Sequence, residues 1–355
     1  MFDHPDYDAH EKVLMVEDAA SGLKAIIAVH STALGAAAGG CRLWAYDSGV
    51  AALGDALRLS RGMSYKNAMA NLPMGGGKAV ILGPVLPDRR EAVLEAFGRA
   101  VDSLDGQYIT AEDVGVSVAD MKIVARTTGY VSGLDAAVGK SGGDPSPFTA
   151  RGVRVGIEAA AKAKLGRSDL AGLKVAVQGL GHVGSYLCEE LYTLGARLMV
   201  ADINAERVTE MRDRFGAESV PVEDILLQPV DVVAPCALGG AISEEVATRL
   251  QATIVAGANN QLLTPRAGVI LGERGILYAP DYVINAGGII MVAGEISGHN
   301  DEAHILEQVD AIGPRLADIF ARAKSANVIT NVVADSMARD KIAAAKARAK
   351  VTEAA

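Results

Sequence analysis

The chain has 355 residues, 50% hydrophobic, 22% charged and carrying a net charge of −9, which is enough apolar material for two cored domains and rules out wholesale disorder. With 34 basic against 43 acidic residues, a polyanion partner is disfavoured and no nucleic acid is expected. The three cysteines, Cys41, Cys188 and Cys236, lie far apart without a CxxC pair, which argues against a disulfide framework and fits a reducing cytoplasm. Aromatics are only 4% while glycines number 39, so the core should be built from small, closely packed aliphatic side chains.

In chain order, the opening segment MFDHPDYDAH is acidic and has no apolar run, so no secretory leader is expected. Residues 21–30 read as a strand, with Ile26, Ile27 and Val29 β-branched. Residues 51–70 read as a helix whose polar end carries Tyr65, Lys66 and Asn67. Gly75, Gly76 and Gly77 then lead through Lys78 into a short strand over 79–82, and a further short strand over 107–110 ends at Ala111, Glu112 and Asp113. Lys66, Lys78 and Asp113 are thus expected where regular elements end, the places at which side chains from separate segments meet. The Gly/Pro/Ser stretch 139–147 is the best linker candidate.

A helix over 149–163 and a buried parallel-type strand over 174–178 follow. The pattern then alternates: helix 183–194, strand 197–201, helix 205–215, strand 231–234, helix 243–250, strand 253–256. Such alternation specifies α/β architecture, a parallel sheet with helices on both faces. The apolar run 283–294 is too short to span a bilayer and holds three glycines and Asn285, so no membrane partner is expected. The last thirty residues read as a helix rich in Ala, Lys and Arg.

Gly179, Gly181 and Gly184 form a G-x-G-x-x-G that follows the strand 174–178 directly and opens a helix. Asp202 lies 18 positions after Gly184, at the end of the next strand. The glycines let backbone approach a pyrophosphate at the helix N-terminus, and Asp202 accepts from a ribose diol while repelling a 2′-phosphate. NAD is therefore favoured over NADP, with Arg207 nearby as a counterweight; the alternative is a glycine-rich turn in an empty Rossmann-like domain.

Lys66 and Lys78 stand twelve residues apart, the second just after three glycines. Their ordinary alternative is a pair of solvated lysines. Against that, residues 63–77 are nearly uncharged apart from Lys66, and the segment after Lys78 is a core strand. A lysine in an apolar cleft near another cation gives up its proton more easily and becomes a general base. Asp113 reads equally as a turn or N-cap aspartate.

Five segments together resemble one family: Tyr-Lys-Asn-Ala (65–68), Gly-Gly-Gly-Lys (75–78), Thr-Ala-Glu-Asp-Val-Gly (110–115), Ala-Asn-Asn-Gln-Leu (258–262) and Val-Ile-Asn-Ala-Gly-Gly (283–288) are similar to the Glu/Leu/Phe/Val amino-acid dehydrogenases. Ala-Ser-Gly-Leu-Lys-Ala (20–25), Pro-Cys-Ala-Leu-Gly (235–239) and Tyr-Ala-Pro-Asp-Tyr (278–282) add to the resemblance, which runs in order from about residue 10 to 345. The leucine/valine branch is the most similar, then phenylalanine. The resemblance implies an N-terminal α/β substrate-binding and oligomerisation domain over 1–140, completed by a C-terminal helix over about 326–355. It implies a doubly wound Rossmann-type NAD-binding domain over 141–325, a catalytic cleft between the two, and a homo-oligomer.

The implied reaction is NAD-dependent oxidative deamination of an L-amino acid to a 2-oxo acid and ammonia, in the catabolism of branched-chain amino acids. By matching positions, Lys66 would bind the substrate carboxylate beside Gly39 and Gly40. Lys78 would activate the water that attacks the imino intermediate, and Asp113 would shuttle a proton at the amino nitrogen. Asn260, with Asn259 beside it, and Asn285 would line the site near substrate and nicotinamide, and Thr149 would hold the nicotinamide carboxamide. Gly179, Gly181, His182, Val183, Gly184, Asp202, Cys236, Ala237, Ala258, Asn259 and Asn285 would contact the cofactor. The matched side-chain pocket, Ala38, Ala111, Ile289 and Val292, is apolar, which disfavours glutamate. Ala111 and Val292 resemble the leucine branch and Ile289 would crowd a phenyl ring, whereas Ala38 is smaller than the leucine usual there and Asn-Leu-Pro-Met (71–74) is similar to phenylalanine enzymes. Branched aliphatic substrates are expected, with phenylalanine as the alternative and, in another class, a non-catalytic NAD-sensing protein. The six histidines show no HExxH, so no metal is expected. Cys236 has no evident base and reads as a small buried residue. The basic run 339–350 reads as a solvated helix face.

Overall fold

A computed structural model describes residues 2–134, 143–299 and 301–353. Two units emerge from it: unit 1 comprises Met1–Gly143, Val292–Asp301 and Met337–Ala355, and unit 2 comprises Asp144–Met291 and Glu302–Ser336.

Unit 1 contains β1 (Lys12–Asp18), β2 (Leu23–Ser31), β3 (Ala37–Trp44), α1 (Gly49–Met69), β4 (Gly75–Leu82), α2 (Arg90–Asp102), β5 (Tyr108–Glu112) and α3 (Val118–Val124). Its five-stranded sheet has the order β1-β2-β4-β3-β5; β1, β2 and β4 pair antiparallel, and β3 pairs parallel with both β4 and β5. The strand period of two splits β2 between two cores. Leu23, Ala25, Ile27 and Val29 pack with Phe97, Val101 and Met121 of α2 and α3, while Ile26 and Ala28 pack with Ala52, Ala56 and Leu57 of α1.

The strand expected over 79–82 runs through the three glycines as well, and they form no loop. The reason is close packing. A Cβ on Gly75 would lie 1.9 Å from the Ser31 carbonyl oxygen, one on Gly76 2.0 Å from the Ser64 nitrogen of α1, and one on Gly77 2.6 Å from the Tyr108 ring. No side chain fits in any of the three places, so α1 and the neighbouring strands close directly on β4 backbone. Lys78 consequently sits inside a central strand, a correction to its expected place at an element's end.

Unit 2 contains α4 (Ser146–Leu165), β6 (Lys174–Gln178), α5 (His182–Thr193), β7 (Arg197–Ala201), α6 (Ala205–Phe215), β8 (Glu218–Ser219), β9 (Val232–Pro235), α7 (Glu244–Arg249), β10 (Ile254–Val255), α8 (Pro265–Glu273), β11 (Leu277–Tyr278) and α9 (Asp281–Ile284). After α10 (Gly287–Ser297) come α11 (Glu302–Asp310), α12 (Ile312–Ala326) and α13 (Thr330–Glu353). The six strands are all parallel in the order β11-β10-β9-β6-β7-β8, the doubly wound arrangement expected from alternation. In the linker candidate, residues 139–142 lie outside the described residues, and Ser146 and Pro147 already open α4.

The return to unit 1, expected near residue 326, comes at Met337 by contact. Gly152 and Gly156 notch α4 so that Ile312 and Leu316 of α12 lie against its backbone, and this keeps α12 in unit 2. No helix among the described residues is long and apolar enough to cross a membrane.

Two buried histidines, His10 just before β1 and His30 in β2, fasten these segments onto α1. His10 Nε2 lies 3.0 Å from both the Leu57 carbonyl oxygen and Ser60 Oγ, and His30 Nδ1 lies 2.8 Å from Ser64 Oγ. Their rings stack edge to face at 4.9 Å. Burial lowers both proton affinities, and His10 lowers His30 further, to about 4. The unfolded chain therefore binds more protons than the fold between about pH 6.5 and about pH 4, and stability falls as pH drops through that window. His30→Gln should lose about 2 kcal/mol less between pH 7 and pH 4 than the wild type in urea unfolding followed by Trp44 fluorescence. Equal losses in the two proteins would exclude His30 as the source.

Candidate active site

Three strands and one helix of unit 1 converge on a charged cluster. Residues 76, 78 and 80 of β4 share one face of the sheet, the face against α1, and Ala38, Gly40 and Arg42 of β3 lie on that face beside them. Lys78 is only 6% exposed. Its Nζ donates to Asp113 Oδ2 at 2.7 Å, and Asp113 follows directly after β5. Gly40 stands next to this pair, since a Cβ there would meet Asp113 Cβ at 2.9 Å. Gly39 gives its carbonyl to the buried Tyr108 hydroxyl at 2.6 Å, and a Cβ on it would strike the Gly77 carbonyl oxygen at 1.9 Å. Lys66 is half-buried in the last turn of α1, a helix fixed to β4 by Asn67 Nδ2 donating to the Gly75 carbonyl at 2.6 Å. Ala38 is buried in β3, Ala111 half-buried in β5, and Val292 half-buried in the part of α10 that belongs to unit 1.

The carboxylate of Asp113 accepts from two cations at once. Arg42 Nε also donates to Oδ2, at 3.0 Å, and Arg42 Nη1 donates to Asp55 Oδ2 at 2.9 Å. Asp55 in turn accepts from the Tyr46 hydroxyl at 2.8 Å and from Arg58 at 2.5 Å. Burial lowers the proton affinity of Lys78, opposed by the Asp113 charge and aided by the like charge of Arg42. Burial alone would raise Asp113, but the charge and hydrogen bond of Lys78 and the charge of Arg42 prevail and hold it below the ordinary carboxylate range. A buried amine with a depressed proton affinity beside a fixed carboxylate is the arrangement a general base requires.

Arg42 and Asp55 escaped sequence reasoning, which weighed single motifs. The available signal was Arg42 two positions after Gly40, in phase with Gly40 on one strand face.

In unit 2 the glycine motif bridges β6 and α5. Gly179 adopts φ +90°, and a Cβ on Gly184 would lie 2.0 Å from the Gly179 carbonyl oxygen, so these two glycines are packed shut. At Gly181 nothing lies within 4 Å of the place a methyl would take, which leaves an open approach to the N-terminus of α5. Asp202 Oδ2 accepts from the Leu180 amide at 2.6 Å and Oδ1 from the Asn204 amide at 2.7 Å, which fixes the acid beside the glycine turn. His182 is exposed at the start of α5, 3.4 Å from Asp144, with the half-buried Val183 next to it. Cys236 donates its amide to the Gln178 carbonyl at 2.7 Å, and Ala237 packs against Gly179.

A second cluster forms around Asn285. Its Nδ2 donates to the Ala258 carbonyl at 2.8 Å, while the Ala258 and Asn259 amides donate to Pro235. Thr149 lies against Gly288, where a Cβ would meet its Oγ1 at 2.9 Å. Asn260 is exposed and receives the Gly240 amide on its carbonyl; Ile289 is half-buried in α10. Four buried acceptors have no hydrogen-bond partner among the described residues, Asn67 Oδ1, Asn331 Oδ1, Gln178 Oε1 and Asn285 Oδ1, and the last two belong to these segments of unit 2. A buried acceptor left unpaired is costly. Orphans at the end of β6 and beside Thr149, with an open glycine between them in sequence, fit a nicotinamide dinucleotide with its pyrophosphate at α5 and its carboxamide near Asn285.

No group of His, Cys, Asp or Glu among the described residues is arranged to hold a metal ion. Cys236 is a free thiol pushed up to about 12 by burial, so it is no nucleophile.

Family models for "Glu/Leu/Phe/Val dehydrogenase, dimerisation domain" and "Glutamate/Leucine/Phenylalanine/Valine dehydrogenase" match residues 9–130 and residues 143–206 and 198–354. Leucine dehydrogenase of Geobacillus stearothermophilus is 51% identical over 95% of this chain and 91% of its own length. Valine dehydrogenase of Streptomyces albus is 45% identical over 97% of this chain and 95% of its own. The crystal structure of L-tryptophan dehydrogenase from Nostoc punctiforme superposes with a TM-score of 0.84 at 44% identity, covering 95% of this chain and 97% of that one.

The two kinds of glycine in the motif should separate on mutation. Gly184→Ala should lower the melting temperature, because its methyl overlaps the Gly179 carbonyl. Gly181→Ala should fold normally yet bind NADH roughly tenfold more weakly in a fluorescence titration, because its methyl enters only the open approach. Unchanged NADH binding by Gly181→Ala would remove that approach as the pyrophosphate site.

Proposed function

The chain belongs to the Glu/Leu/Phe/Val dehydrogenase family, and from that premise we propose that it is an NAD-dependent L-amino-acid dehydrogenase of the leucine dehydrogenase type. It deaminates branched aliphatic amino acids, leucine with valine and isoleucine, reversibly to the 2-oxo acid and ammonia. The observation that carries the chemistry is the buried Lys78 held 2.7 Å from Asp113.

When bound, the nicotinamide ring supplies the hydride acceptor for the substrate Cα. The chain supplies placement and proton handling. Lys66, with the Gly39 and Gly40 backbone beside it, holds the substrate carboxylate. Lys78 acts as base toward the water that adds to the imino carbon. Asp113 carries the proton at the amino nitrogen. Asn285 Oδ1, without a partner among the described residues, accepts from an N–H of nicotinamide or substrate, Thr149 orients the carboxamide, and Asn259 and Asn260 flank them. The base must be neutral to act. Burial depresses its proton affinity, so turnover in the oxidative direction should rise as pH rises through the lowered value.

Asp202 favours NAD, because a carboxylate fixed beside the glycine turn pairs with a ribose diol and repels a 2′-phosphate. Ala38, Ala111, Ile289 and Val292 supply an apolar environment without a cation, which supports aliphatic side chains over glutamate. The small Ala38 favours a second reading in which phenylalanine is also accepted. One methylene discriminates by only ~1–3 kcal/mol, so several aliphatic substrates should turn over. The dimerisation model matched over residues 9–130 and the exposed edge strand β1 support a homo-oligomer. Three free thiols support a reducing cytoplasm.

NADH absorbance should appear with leucine, valine and isoleucine at higher kcat/KM than with phenylalanine, and with NAD above NADP. Lys78→Ala should lower kcat by roughly 10²–10⁴-fold while leaving NADH affinity unchanged. NADH binding without oxidation of any amino acid would instead identify a sensing protein.

A further inference from the structure

We propose that Arg42 is a positioning residue that sets the proton affinity of the Lys78 base, acting both through the Asp113 carboxylate they share and as a like charge beside the amine. The inference rests on the assignment of Lys78 as base, and it assigns to Arg42 a role in the reaction besides its role in the fold.

The geometry is specific. One oxygen, Asp113 Oδ2, receives Lys78 Nζ at 2.7 Å and Arg42 Nε at 3.0 Å. Two donors on one oxygen compete for its charge, so each weakens the hold of the other. The guanidinium remains protonated at every accessible pH, whereas an ammonium in the same burial is free to lose its proton. The pair therefore divides the labour: Arg42 keeps Asp113 ionised and in place, and Lys78 is the member that releases a proton. The like charge of Arg42 lowers Lys78 further.

The guanidinium is itself fixed by a second carboxylate. Asp55, on α1, accepts Arg42 Nη1 at 2.9 Å and is steadied by Tyr46 and Arg58. Burial would lower the proton affinity of Arg42, but Asp113 and Asp55 together raise it. Three further titratable groups with an electrostatic bearing on Asp113, Cys41, Tyr46 and Tyr108, are raised by burial and are neutral at physiological pH. Lys78 therefore faces the Asp113 carboxylate and the like charge of Arg42, and Asp55 neutralises part of that like charge.

Two substitutions test this with opposite signs. Arg42→Gln removes the cation, so both Lys78 and Asp113 should bind protons more tightly. The acid limb of kcat/KM for leucine should move upward by roughly one pH unit. Arg42→Lys, which keeps the charge but not the fork, should bring that limb back toward the wild-type position. Asp55→Asn leaves the Arg42 charge less neutralised and should move the limb downward. NADH affinity, measured in the same proteins, should stay unchanged. An acid limb at the wild-type pH in folded Arg42→Gln, or an upward shift in Asp55→Asn, overturns the proposal. If Arg42→Gln does not fold, the direction of the Asp55→Asn shift decides alone. A wild-type enzyme with no amino-acid-dependent NADH production would refute the dehydrogenase assignment itself, a result distinct from either variant's profile.

Discussion

Everything chemical in unit 1 depends on one ammonium group enclosed in a β-strand. Lys78 is 6% exposed, in the middle of β4, and burying an isolated charge there is prohibitive. Asp113 at 2.7 Å makes the position tolerable in the charged form, and the low local dielectric makes the neutral form accessible. Too strong a partner would fix the proton on Lys78 permanently. Arg42 on the same carboxylate oxygen prevents that, because the negative charge is divided between two cations. Two cations compete there for one oxygen, and Ala38 and Gly40 on β3 and Gly76 on β4 share the face from which Lys78 and Arg42 project.

The glycines of this chain serve two opposite ends. At Gly75, Gly76, Gly77 and Gly184 the backbone is pressed against other protein atoms, and the missing side chain is filled by the fold itself. At Gly181 the missing side chain leaves open space beside a helix N-terminus. Only the second kind leaves room for a ligand. The contrast explains why the Gly-Gly-Gly-Lys segment, expected only to lead into a strand over 79–82, is itself part of a central strand.

Most of unit 2 was legible in the sequence because its elements obey local rules. The strands Lys174–Gln178 and Arg197–Ala201 and the helix Ala205–Phe215 have the limits expected, each bounded by strong punctuation such as Gly179, Asn204 and Gly216. In unit 1 the strands β1 and β3 were not foreseen. β3 reads Ala-Ala-Gly-Gly-Cys-Arg-Leu-Trp, with two glycines and little β propensity, and it is a strand because β4 and β5 pair with both of its edges. The same limit applied to the site. Lys66, Lys78 and Asp113 were visible as residues near the ends of patterns. Arg42 and Asp55 were not, because their importance lies in a contact 71 residues apart in sequence for Arg42 and Asp113.

A distribution of charge follows that composition alone would not suggest. The chain is acidic overall, yet the charged cluster of unit 1 sets the cations Arg42 and Lys78 against Asp113 and Asp55, with the more exposed Arg58 on the far side of Asp55. Within that cluster a single proton matters: adding or removing one at Lys78 shifts the local charge balance by one. A substrate that brings its own carboxylate to Lys66 adds to that balance before chemistry begins. In the proposed reaction, an anion held at the half-buried Lys66 in the last turn of α1 favours the protonated form of Lys78, an effect that Arg42 opposes.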